Sequence, residues 1–130
     1  MNIEQRKYIR FLPQDNTFAA LRSEFKKVGK VNNISIKGLA FSYLSEIVEK
    51  DPVPYSYQVD IFLSENKFYL SNVPCEIVYD VPDPTYGKNY GIRMYRCGLL
   101  FKELTKIQSE LLEFFINKHT IGILYSFSDN

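Results

Sequence analysis

The sequence predicts a mainly β fold that ends in one α-helix. Between Thr17 and Val81, short runs rich in Tyr, Phe, Ile and Val alternate with turn-forming residues, as expected for several short strands. From Thr105 to His119 the apolar residues recur at helical spacing instead. Short strands at close intervals favour a sandwich or a small barrel, with the helix covering an end or a face.

Individual strands follow from the local patterns. Apolar and polar residues largely alternate in Tyr57–Leu63, which predicts a half-buried strand, and Lys67–Leu70 is its hairpin return arm. Two further strands are predicted at Cys75–Val81 and Tyr90–Phe101, joined by the loop 82–87. The turn signals that separate the runs are Gly29, Asn32-Asn33, Gly38, Asp51-Pro52, Glu65-Asn66 and Asn72-Val73-Pro74.

The helix has its own start and stop signals. Thr105 and Gln108 have the spacing of a capping box, in which each side chain satisfies a free backbone N–H of the first turn. Lys118 and His119 fall in the last turn, where positive charge suits the helix dipole. Residues 120–127 are apolar enough to pack, but the sequence does not indicate against what.

The composition limits the classes of protein to which this chain can belong. The 130 residues suit one domain, 1–130, and 45% are apolar, enough for a core without disulfides or metals. Cys75 and Cys97 lie 22 positions apart, so we interpret them as two half-buried thiols in a reducing compartment. No apolar run approaches the ~18 residues of a membrane span, and the start shows no secretion signal. We expect a soluble, cytoplasmic protein without membrane insertion.

Positive charge is concentrated near the start. Residues 1–40 contain eight Lys and Arg against three Asp and Glu, whereas residues 41–130 contain eight against twelve. This asymmetry favours a compact anionic ligand near the N-terminal third. It argues against a nucleic-acid polymer, because the overall charge is only +1.

Catalytic constellations are not evident in the sequence. The single histidine, His119, has no ligand partner nearby, so we interpret it as a surface residue at a helix end. Asp80 and Asp83 flank prolines and are interpreted as a solvated turn, and no Gly-rich phosphate loop occurs. We therefore expect neither enzymatic activity nor a metal or cofactor.

Two polar clusters remain. Arg6 and Arg10 stand four apart in an N-terminal arm, residues 1–12, so their guanidinium groups share a face in a strand or a helix. Arginine can bond bidentately to phosphate or to the O6/N7 edge of guanine. In the second cluster Asn33 and Ser35 alternate with apolar residues, and Gly38 permits a close backbone approach.

Together the clusters resemble the PilZ family, whose members carry RxxxR in an N-terminal arm and [D/N]xSxxG after an early strand. Asn33 stands where the family more often has Asp. Residues 96–101, Arg-Cys-Gly-Leu-Leu-Phe, are similar to the family's late strand, and the helix Thr105–Lys118 to its C-terminal helix. One departure is Gln5, where many relatives have an additional Arg.

The resemblance implies a six-stranded antiparallel β-barrel with a C-terminal helix, acting as a bacterial cyclic di-GMP receptor. Arg6 and Arg10 would bind phosphates and a guanine edge, and Asn33, Ser35 and Gly38 would line the surface under the other guanine. Signalling would pass through a shape change to an unidentified protein target. Motility and biofilm formation are outputs typical of the family, and the sequence does not choose among motility, adhesion and polysaccharide production.

Two alternatives belong to other classes. One is a PilZ-like adaptor, related to type IV pili or motility, that binds proteins without the nucleotide; such members typically lack both motifs. The other is a small barrel that binds single-stranded nucleic acid through its aromatic residues, which the near-neutral charge disfavours.

Overall fold

The computed structural model describes residues 8–22, 27–45, 57–84 and 92–124. They form eight strands, one α-helix and a single 3-10 turn (Ser64–Asn66). The strands and the α-helix are β1 (Phe11–Pro13), β2 (Thr17–Arg22), β3 (Lys27–Ile34), β4 (Gly38–Ser45), β5 (Tyr57–Leu63), β6 (Phe68–Pro82), β7 (Arg93–Phe101), α1 (Lys106–Lys118) and β8 (Thr120–Ile123).

Six of the strands form a closed antiparallel barrel. They pair in the order β2-β5-β6-β7-β4-β3, and β3 pairs with β2 to complete the ring. The predicted six-stranded antiparallel barrel with a C-terminal helix is therefore confirmed. Closure gives each of these strands a neighbour on both sides, and alternate side chains point into the core. The largest buried side chains there include Leu21, Ile34, Phe41, Ile61, Leu70 and Val73.

Helix α1 packs its apolar face against the barrel. The predicted capping box is present, since Gln108 N–H donates to Thr105 Oγ1 at 3.0 Å and Thr105 N–H to Gln108 Oε1 at 3.1 Å. The Gln108 amide also donates to the backbone carbonyl oxygens of Ser71 and Asn72 on β6, each at 3.0 Å. Leu112, Phe115 and Ile116 are buried. No helix in the described ranges is long and apolar enough to span a membrane.

Strand β6 differs from the sequence-based prediction, which divided it into two strands. The predicted return arm Lys67–Leu70 and the predicted strand Cys75–Val81 belong to a single strand of 15 residues. The supposed turn at Asn72 is a β-bulge: Val59 pairs with Val73 and Ile61 with Leu70, so two residues of β6 oppose Asp60 alone. Asn72 has φ 57°, a left-handed conformation that Asn tolerates unusually well. The turn-forming residues therefore mark an irregular position inside a continuous strand rather than the end of a strand.

Strands β1 and β8 lie outside the predicted barrel. Strand β1 pairs with β3 on one side and with β8 on the other. The apolar segment that follows the helix therefore packs as a strand against the N-terminal arm. Short apolar runs of this kind do not specify their partner, because any exposed strand edge offers the same backbone groups.

The two cysteines are free and fully buried in the core rather than half-buried. Burial raises the pKa of each thiol to about 12, so both stay protonated at neutral pH.

Candidate ligand-binding groove

A groove of about 430 Å³ lies on the outer surface of the barrel, beside the N-terminal arm. We call it the Arg10 groove. A row of paired residues crosses this face of four neighbouring strands: Asn33 pairs with Ala40, Ala40 with Gly98, and Gly98 with Tyr79. The two middle residues of the row, Ala40 and Gly98, are small, and Gly98 and Tyr79 line the groove. The residues lining the groove are Tyr8, Arg10, Ser35, Lys37, Gly38, Leu39, Val78, Tyr79, Gly98, Leu99, Leu100 and Phe101.

Asn33 reaches this face through a bulge in β3. Val31 pairs with Phe41 and Asn33 with Ala40, so Asn32 is the additional residue. Asn32 is held by a hydrogen bond from the Ser42 hydroxyl at 3.0 Å. The Asn33 side chain is only 2% exposed, and its Oδ1 accepts a hydrogen bond from Arg10 Nη1 at 3.3 Å. The bulge thereby brings the second cluster into contact with the arm.

Ser35 and Gly38 belong to the tight turn between β3 and β4. The Ser35 N–H donates to the Gly38 carbonyl at 2.8 Å, and Ser35 Oγ accepts from the Lys37 N–H at 3.0 Å. Ser35 thus follows strand β3, which ends at Ile34. The alternation of polar and apolar residues is typical of a strand and would have placed Ser35 within it. A Cβ on Gly38 would stand 2.1 Å from the Leu99 carbonyl oxygen, so only glycine allows β4 and β7 to approach this closely.

Tyr79 lines the groove on β6, at the other end of the row from Asn33. Its ring lies over Gly98, where an added Cβ would stand 2.3 Å from the nearest ring carbon. Because Gly98 has no side chain, the Tyr79 ring can pack directly on the sheet at this position. Val78 is the additional residue of a second β6 bulge, because Ile77 pairs with Leu99 and Tyr79 with Gly98. An aromatic face next to an open depression is a suitable surface for stacking a base.

Positive charge lies along one side of the groove. Arg10 comes from the arm, and Lys37 from the β3–β4 turn. Lys37 Nζ stands 5.6 Å from the centre of the Tyr8 ring, within the range of a cation–π contact. None of the described lining residues is acidic. The described walls combine cations, a hydroxyl, backbone groups and an aromatic ring, which suits a phosphate-bearing heterocycle.

The sequence matches no protein-family model and no curated protein. Solved structures are similar, however. The isolated PilZ domain of Escherichia coli YcgR, solved with cyclic di-GMP, has a TM-score of 0.62 at 10% sequence identity, and the match covers 88% of this chain and 91% of that one. The chain has the fold of a PilZ domain.

Two longer proteins with a PilZ fold are also similar. YcgR from Escherichia coli in complex with cyclic di-GMP has a TM-score of 0.61 at 9% identity, over 87% of this chain and 45% of YcgR. MotI (DgrA), an inhibitor of motility from Bacillus subtilis, has a TM-score of 0.58 at 19% identity, over 88% of this chain and 51% of MotI. The present chain thus spans about half the length of these two proteins.

Four of the five predicted site residues meet on this face of the PilZ fold. Arg10, Ser35 and Gly38 line the groove, and Asn33 lies beside it in contact with Arg10. Arg6, the other arginine of the pair, lies outside the described residues, as does Gln5. Three further residues that line the groove were not indicated by the sequence: Tyr8, Val78 and Tyr79.

Other polar residues have structural roles. Asp80 is not in a solvated turn: it lies in β6, accepts from the Tyr43 hydroxyl at 2.6 Å and pairs with Lys27 Nζ at 2.8 Å. Burial, followed by the Asp80 contact, raises the pKa of Tyr43. Asp83 is also buried, at 8% exposure. The Asp80 interactions link β3, β4 and β6, so this carboxylate has a structural role.

His119 is only partly a surface residue. It is the C-cap of α1, where its N–H donates to the Phe115 carbonyl at 2.7 Å. Its ring packs near Phe68, Phe114 and Phe115, with ring centres 5.7–5.9 Å apart. Among the described ranges no group of three or more His, Cys, Asp or Glu side chains is arranged to hold a metal ion.

Proposed function

We propose that this chain is a bacterial, cytoplasmic receptor for cyclic di-GMP that signals to a protein partner and catalyses no reaction. One observation carries the proposal: Arg10 from the arm meets Asn33, Ser35 and Gly38 from the β3–β4 region at one groove, although 23 positions separate Arg10 from Asn33. The similar PilZ domain of YcgR was solved with this ligand, and so was YcgR itself.

The chemistry of the groove suits such a ligand. Cyclic di-GMP has two phosphates, which Arg6, Arg10 and Lys37 would contact, and two guanines. The planar fork of an arginine also matches the O6/N7 edge of guanine. Ser35 and the backbone around Gly38 would donate and accept hydrogen bonds beneath the second base, and Tyr79 would offer its ring for stacking. A volume of about 430 Å³ lies within the usual range of ~300–1,000 Å³ for small-molecule sites.

Isothermal titration calorimetry tests the proposal directly. Cyclic di-GMP should bind, whereas cyclic di-AMP, which lacks the O6 acceptor of guanine, should bind at least about tenfold more weakly. A single-stranded oligonucleotide should give no heat. If none of these ligands binds to a folded chain, the adaptor alternative replaces the receptor.

The signal would pass through the arm. We expect backbone amides of residues 8–11 to exchange still more slowly once the ligand bridges the arm and the barrel, because its contacts would add to the backbone hydrogen bonds that the arm already makes. Hydrogen exchange measured with and without cyclic di-GMP checks this, and equal exchange in both states would contradict a switching arm.

A further inference from the structure

Strand β8 lies against the segment that positions Arg10. Phe11 pairs with Ile123 and Leu12 with Gly122, in antiparallel register. The ladder extends one step further, because the Leu124 N–H donates to the backbone carbonyl of Arg10 at 2.9 Å. The bond reaches the very residue whose side chain contacts Asn33.

The other end of β8 is anchored to the helix. The Thr120 hydroxyl donates to the Ile116 carbonyl at 2.7 Å, and the Gln14 N–H, just after β1, donates to the His119 carbonyl at 3.1 Å. Strand β1 pairs with β3 at only one position, Phe11 with Ile34. The described contacts of the arm with the rest of the fold therefore depend as much on β8 as on the barrel.

We propose that β8 is a positioning strand for the ligand site: it fixes the backbone of Arg10 so that the guanidinium is already directed at the groove before ligand arrives. This inference rests on the proposed function and deepens it. The physical reason is preorganisation, because a side chain whose backbone is already held loses less conformational freedom on binding. Leu124 touches no ligand in this account and acts only through Arg10.

A matched pair of substitutions isolates the hydrogen bond. Leu124→Pro deletes the backbone N–H that donates to the Arg10 carbonyl, whereas Leu124→Ala keeps this N–H and removes most of the side chain. Leu124→Pro should bind cyclic di-GMP about three- to tenfold more weakly than Leu124→Ala, the range expected for losing one net backbone hydrogen bond. In an Arg10→Ala background the same substitution should cause no further loss, since the group it positions is absent.

A readout without ligand separates this inference from the proposed function. In the ligand-free protein, amides of residues 9–13 should exchange faster in Leu124→Pro than in Leu124→Ala. Gly122→Val should act in the opposite direction, because a Cβ there meets nothing within 4 Å and Val favours strands. It should slow exchange in the same segment and tighten binding about twofold.

The outcomes are distinct. If the parent chain does not bind cyclic di-GMP, the proposed function fails, while the exchange comparison still decides whether β8 holds the arm. If Leu124→Pro and Leu124→Ala bind equally well, or exchange equally in residues 9–13, β8 does not position Arg10 and the inference is wrong. Melting temperatures of both variants exclude global unfolding as the cause of a difference.

Discussion

Two arginines, one in barrel strand β2 and one in the N-terminal arm, each contact a buried polar side chain of another strand. Arg22 contacts Asp60 on β5 through Nε at 3.1 Å and Nη2 at 2.7 Å. Arg10 contacts Asn33 on β3 at 3.3 Å. Asp60 carries the charge opposite to that of its arginine, whereas Asn33 is an uncharged acceptor.

The Asp60 site is complete within the chain. Besides Arg22, the Tyr69 hydroxyl and the Asn72 N–H donate to this carboxylate, at 3.0 and 2.9 Å. Burial raises the pKa of Asp60, but the hydrogen bonds from Asn72, Arg22 and Tyr69 outweigh it and leave the pKa below its ordinary value. The arginine at Asp60 is therefore part of a structural clamp, whereas the arginine at Asn33 is the one that we propose contacts the ligand.

The largest expected effect on stability comes from breaking the clamp. Asp60→Ala leaves the Asn72 N–H and the Tyr69 hydroxyl without their acceptor, and should lower the free energy of unfolding by about 2 kcal/mol. Urea denaturation measures this loss, and cyclic di-GMP affinity should stay unchanged. A large loss of affinity with little loss of stability would reverse the roles assigned to the two arginines.

Acid should weaken the same clamp. Because the folded-state pKa of Asp60 is depressed, its contribution to stability is present above the ordinary value of 3.8 and is lost as pH falls through the folded pKa. The difference in unfolding free energy between the parent and Asp60→Asn should therefore shrink between about pH 6 and about pH 2. A difference that does not change with pH would show that the charge of Asp60 contributes nothing.

The groove should respond in binding rather than in stability. Gly98→Ala would place a Cβ against the Tyr79 ring, which must turn away, so we expect about threefold weaker cyclic di-GMP binding and less than about 1 kcal/mol of destabilisation. If Gly98→Ala binds like the parent, the position of Tyr79 over Gly98 does not matter to the ligand.

The smallest expected change concerns stoichiometry. Cyclic di-GMP can self-associate into an intercalated dimer, and holding four phosphates requires more cationic groups than holding two. Gln5 supplies no charge, so we expect one ligand per chain and a shift toward two in Gln5→Arg. Calorimetric stoichiometry measures this, and a ratio of two for the parent would contradict it.

Patterns that depend on local chemistry could be predicted from the sequence. The capping box of α1 and strand β5 follow from neighbouring residues alone, and the arginine pair and NxSxxG indicated where to look for a site. Tyr79 could not be found this way, because its role depends on register: it lies opposite Gly98, 19 positions later in the chain. Strand β8 was missed for the same reason.

The most direct measurement of the central claim compares the two arginines. Calorimetry with cyclic di-GMP should show about ten- to hundredfold weaker binding for Arg10→Ala, the loss expected for a charge-assisted hydrogen bond, and Arg6→Ala should behave alike. Arg22→Ala removes the same charge from the same barrel and should bind like the parent while unfolding at a lower denaturant concentration. Equal affinities for the parent, Arg10→Ala and Arg22→Ala would contradict the account.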